Sequence, residues 1–144
     1  MKVRCIANTG KDLSERSIKA GQLRATEYNG LDLGKIYTVY SMFLLRGRID
    51  YLLSVGDSRL SSWSPAELFE IVDHSLPPSW YFIFKGYETE NNNGPVEALW
   101  GYKEMVYDLE HNSNLTECEP EDLKIFYQRK AEIDKWQKLK SKKT

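Results

Sequence analysis

The stretch Gly30-Leu31-Asp32-Leu33-Gly34-Lys35 sets two glycines and a lysine close together, the ingredients of a phosphate-binding loop. That chemistry needs four residues between the first glycine and a Gly-Lys-Ser/Thr triplet, after a strand and before a helix, so that backbone amides converge on the phosphate. Here three residues separate Gly30 from Gly34, and Ile36 stands where the magnesium-binding hydroxyl belongs. The β-rich run Tyr37-Thr38-Val39-Tyr40 follows, not a helix. The spacing argues against a nucleotide site. It favours a turn at Asn29-Gly30 and the entry to a strand at Gly34-Lys35.

Other catalytic chemistries fare no better. The only histidines are His74, in a turn, and His111, in the polar run His111-Asn112-Ser113-Asn114, and both read as surface residues. The two cysteines, Cys5 and Cys118, form no Cys-x-x-Cys pair and read as small half-buried hydrophobes. This inventory argues against zinc. Asn114-Leu115-Thr116 matches a glycosylation sequon, which has no meaning without a secretory route. The expectation is a protein with no catalytic residues, no metal and no cofactor.

Binding is the stronger chemistry. Net charge is −1 over 144 residues, but the charges are segregated. Residues 1–50 hold nine Lys+Arg against five Asp+Glu, residues 51–128 four against fourteen, and residues 129–144 seven against two. The acidic block also carries Trp80, Tyr81, Tyr87, Trp100, Tyr102 and Tyr107. Aromatics supply desolvated anchors and carboxylates steer a cationic partner. The candidate anchors are Tyr87, Trp100 and Tyr107. The candidate steering charges are Glu88, Glu90, Glu97, Glu104, Asp108 and Glu110. A second reading is nucleic-acid binding through Lys35, Tyr37, Tyr40, Arg46, Arg48 and the tail lysines. The acidic middle opposes it. No apolar run is long enough to cross a bilayer, and the N-terminus turns polar too early for a secretory signal, so the expected compartment is the cytoplasm.

The elements that must position these residues follow from periodicity. Residues 2–7 alternate as a short strand, and residues 11–30 read as a long polar loop with a helical turn around Ser14–Lys19. Lys35 to Leu45 reads as one strand. Arg46-Gly47-Arg48 turns, Ile49 to Val55 alternates with one buried face, and Leu60–Trp63 completes a meander. Ser64-Pro65-Ala66-Glu67 carries a helix-start signal with Ser64 as cap, and Phe69–Asp73 is a further strand. Pro77-Pro78 marks the internal boundary, dividing residues 1–74 from 79–144. Trp80–Phe84 is the most apolar run and reads as a buried strand or a docking segment. Leu99–Tyr102 suits a strand, and Lys103–Glu110 fits helix or strand. A helix over 120–138 opens on Glu121 and Asp122 and presents Leu123, Phe126, Tyr127, Lys130 and Ile133 on one face.

The runs "VRCIANTG", "LDLGKIYTVY", "RIDYLLSVGD" and "WSPAELFEIVD" resemble, in order, small bacterial SH3-like barrel proteins. The resemblance covers about half the chain and implies an α+β protein: a small SH3-like antiparallel β-barrel with a C-terminal β/α extension ending in an amphipathic helix. The second half, "WGYKEMVYDLEHNSNLTECEPEDLKIFYQRK", resembles the immunity proteins of bacterial polymorphic toxin and contact-dependent growth inhibition systems. That resemblance implies a non-catalytic cytoplasmic inhibitor that occludes a cognate toxin domain, such as a basic nuclease. It assigns no individual residue, and fold alone does not imply function.

Overall fold

A computed structural model describes residues 1–56, 61–87 and 96–142. It is an α+β structure of two antiparallel sheets and a long C-terminal helix. Strands β1 (Lys2–Cys5), β2 (Ile36–Thr38) and β6 (Phe69–Asp73) form a three-stranded sheet in the order β2-β1-β6. Strands β3 (Ser41–Leu45), β4 (Arg48–Ser54), β5 (Ser61–Pro65), β7 (Tyr81–Phe84) and β8 (Val96–Gly101) form the second, in the order β5-β4-β3-β8-β7. Among the described residues no ladder closes these sheets into one barrel. The second sheet joins strands from both sides of Pro77-Pro78, because β8 pairs with β3 from Ser41↔Gly101 to Leu45↔Val96.

The expected single strand over Lys35–Leu45 is two strands in different sheets. Val39 and Tyr40 are buried one after the other, which breaks the two-residue alternation and turns the chain from one sheet to the next. Val39 N–H donates to Met1 O at 3.1 Å and Tyr40 N–H to Leu52 O at 3.0 Å, so the corner is bonded on both sides. Strand β4 is also corrected. Tyr51 and Leu53 face the small sheet's core with Val3, Tyr37 and Phe69, while Leu52 faces Tyr102, Met105 and Phe126. It is buried on both faces, and its exposed residue is Ile49.

Ser64 caps no helix. It lies in β5 opposite Tyr51, and only a 3-10 turn, Ala66–Leu68, follows. Pro65 is tolerated because β5 is an edge strand. The carboxylate of Glu67 reaches instead to Ser14, accepting from its N–H at 2.8 Å and its hydroxyl at 2.5 Å. Ser14 in turn caps α1 (Glu15–Lys19) by accepting from Ser17 N–H. The long loop is therefore built into the fold, with Leu13, Ala20 and Leu31 buried. Gly10 meets it so closely that an added Cβ stands 2.1 Å from Leu23 O. Below the loop, Arg48 and Asp50 form a buried ion pair at 2.7 and 3.0 Å, and Arg48 also donates to Ala20 O at 3.4 Å.

Helices α2 (Lys103–Tyr107), α3 (His111–Thr116) and α4 (Pro120–Ser141) cover the other face of the large sheet. On α4, Phe126, Ile133 and Gln137 are buried, with Leu123 and Tyr127 packed at the margin. The Tyr40 hydroxyl donates to Asp134 at 2.9 Å and burial pushes its pKa up to about 12. Lys140 ties the far end of α4 to Asp73 at 2.5 and 2.7 Å. None of these helices is long and apolar enough to cross a membrane.

Candidate binding surface

His111 is the first surprise among the polar residues. Expected at the surface, it is 0 % exposed. Its Nδ1 is hydrogen-bonded to Asp122 at 2.5 Å, and its Nε2 to the Tyr102 hydroxyl at 2.9 Å. This Tyr–His–Asp chain has the atom order of a proton relay, and its Asp122 end is partly exposed. Tyr102 is as buried as the imidazole, and burial drives its phenol pKa well up. The Tyr–His–Asp chain ties α3 and α4 to the sheet. His74 is exposed at the end of β6. Cys5 is buried and its thiol pKa raised by that burial, whereas Cys118 is exposed, contrary to the half-buried expectation. Among the described residues no three His, Cys, Asp or Glu side chains are placed to share a metal ion.

The exposed apolar surface lies elsewhere. Strand β7 is at the edge of the large sheet and is not buried, which settles one of the two expectations for Trp80–Phe84. Phe82 is 51 % exposed and Phe84 54 %. Phe82 packs on Trp100 of β8 with ring centroids 4.9 Å apart, and Phe84 on Tyr87 at 5.7 Å. Cross-strand register puts Phe82 opposite Trp100 and Phe84 opposite Ala98, so these rings share one face. On the other face, Tyr81 meets Tyr107 of α2 edge-on at 5.7 Å.

Beyond Tyr107 the chain leaves α2 and forms a shoulder. Tyr107, Asp108, Leu109 and Glu110 are all exposed, and Leu109, at 85 %, is the most exposed of the large hydrophobic side chains among the described residues. Asp108 accepts from Glu110 N–H at 3.0 Å, which fixes the turn and holds Leu109 outward. Lys103 and Glu104 line the same open depression.

The expected interface residues thus separate. Tyr107, Asp108 and Glu110 gather on the shoulder. Tyr87 and Trp100 lie with the β7 aromatics. Glu104 is engaged by Arg129 in a two-pronged ion pair at 2.6 and 2.9 Å, which holds its carboxyl below the ordinary range. Glu97 is 8 % exposed and is no steering charge, because β8 runs through the sheet interior. Glu88 and Glu90 lie outside the described residues. Leu109 was not among the expected interface residues, whereas Phe82 and Phe84 fall in the run Trp80–Phe84 expected as a buried strand or a docking segment. The position of β7 at an edge excludes the buried-strand alternative for Tyr81–Phe84. In the nucleic-acid set, Tyr37, Tyr40 and Arg48 are buried and line no exposed groove. Arg46 sits with Arg16 and Lys19 in an open cationic hollow.

No protein-family model, no curated protein and no solved structure matches this chain. The geometry carries the functional reading.

Proposed function

We propose that this chain is a non-catalytic immunity protein that binds a cognate toxin domain in the cytoplasm and blocks it by occlusion. The observation that carries the reading is the shoulder Tyr107–Glu110: an aromatic ring and a nearly free leucine interleaved with two exposed carboxylates. Burying Leu109 and Tyr107 supplies affinity, and Asp108 and Glu110 favour a basic partner such as a nuclease. The likeness of residues 2–73 to SH3-like barrel proteins supplies architecture to this proposal and no chemistry.

Co-expression with a toxin domain encoded beside this gene tests it. The expected result is survival and a complex that co-elutes on gel filtration. Leu109→Asp should weaken that complex by at least roughly tenfold, the scale of a lost anchor. Removing the charges of Asp108 and Glu110 should slow association and flatten its salt dependence. Cell death with no complex from the wild-type pair overturns the reading.

A further inference from the structure

The large sheet ends differently at its two edges. Edge strand β5, Ser61-Ser62-Trp63-Ser64-Pro65, is mostly polar and carries a proline, two of the devices that keep edges from pairing. Edge strand β7, Tyr81-Phe82-Ile83-Phe84, carries no charge and no proline within its span. Lys85 N–H donates to Glu97 O at 2.7 Å, toward β8. By the two-residue alternation of an antiparallel ladder, Tyr81 and Ile83 also turn their backbone groups toward β8. Phe82 and Phe84 therefore turn their N–H and C=O groups to the outer edge, where no strand among the described residues pairs with them.

We infer that β7 pairs antiparallel with β7 of a second copy, joining two five-stranded sheets across a two-fold axis. The strand fits itself in one register, with Ile83 opposite Ile83. Phe82 of each copy then faces Phe84 of the other, and all four outward N–H groups find outward carbonyls. On one face the Phe82–Trp100 and Phe84–Tyr87 pairs of the two copies merge into one aromatic strip. On the other face the charges complement each other. Exposed Lys85 of one copy lies across from Tyr81 of its partner, whose ring packs on Tyr107 beside exposed Asp108. A shift of register moves Lys85 away from Tyr81 of the partner and so from that carboxylate. An isologous contact uses every such complement twice. This inference goes beyond the immunity reading and does not depend on it.

Sedimentation equilibrium of the full chain, from about 1 µM to about 1 mM, tests it. The expected mass at the upper end is twice the 16.8 kDa of one chain. Lys85→Glu should weaken the dimer by roughly tenfold or more, because the reversed contact occurs twice. The double variant Lys85→Glu/Asp108→Lys should restore it. Phe84→Pro removes an outward N–H and an exposed ring, neither of which the ladder to β8 uses, so it should keep the native circular dichroism and sediment as a monomer. A wild-type chain monomeric throughout overturns the inference. So does a dimer indifferent to Lys85→Glu, or one that Phe84→Pro leaves intact.

Discussion

Two glycines show how one residue type serves different physical needs. At Gly10 the backbone of Leu23 occupies the space of a side chain, with a Cβ-to-oxygen approach of 2.1 Å. At Gly34 there is open space but φ is +79°, and its N–H donates to Cys5 O at 2.8 Å. Gly10→Ala should cost about 1–3 kcal/mol by overpacking, and Gly34→Ala about 1–2 kcal/mol by left-handed strain. Urea denaturation of both variants measures the contrast, and equal costs of a few tenths of a kcal/mol contradict it. Reading Gly34 as the bend into a strand was within reach of the sequence, since no phosphate loop fits. The need at Gly10 was not, because its neighbour comes from a loop thirteen residues on. His111 was misread for a related reason. Its polar neighbours mask the four-residue spacing to Leu115 that turns both inward on α3. Breaking that buried chain is costly. His111→Ala leaves Tyr102 and Asp122 without their partner and should lose about 1–3 kcal/mol, measured by urea denaturation.

At the scale of elements, α4 is anchored at both ends of its buried stripe. Phe126 packs under Tyr40 near the start, and Lys140 grips Asp73 near the end. Lys140, with Ser75 N–H, holds the Asp73 carboxyl well below the ordinary range. A depressed carboxyl stabilises the fold above its unfolded pKa of about 3.9 and loses that contribution as pH falls toward its folded value. Stability should therefore decline below about pH 4. Asp73→Asn should be less stable at neutral pH and show a shallower decline, measured by urea midpoints across that window. An identical slope in the variant removes Asp73 from the account. The helix itself was legible from its acidic start, basic end and three-four spacing. The corner at Val39-Tyr40 was not, because a strand that changes sheets keeps its β-forming residues and only slips its phase. The buried double face of β4 was hidden too. Arg48 and Asp50 look solvent-directed in sequence and are in fact a buried pair beneath the loop.

At the scale of the whole molecule, the two halves of the chain share both the large sheet and its cores. Tyr40 and Leu52 pack with Tyr102, Met105 and Phe126, and Phe43 with Leu99 and Val106. Unfolding should be one cooperative event, with tryptophan fluorescence and far-ultraviolet circular dichroism giving coincident urea transitions. Two separated transitions mean the halves are independent. The α+β class, most strands and the acidic second half could be read from sequence. Which acidic and aromatic residues end up outside could not, because that depends on strand order. Glu97 disappears into the sheet by joining β3, while Phe82 emerges by being last.

Strand order also dictates when the sheet can be completed as the chain is made. Leu44 pairs with Ile49 across the tight Arg46-Gly47 turn and with Ala98 far downstream. The β3–β4 hairpin can form as soon as it is synthesised. The other side of β3, with Met42 and Leu44, must wait until some fifty more residues have emerged. During that interval the nascent chain exposes an unpaired strand edge on β3, open to any other strand that reaches it first.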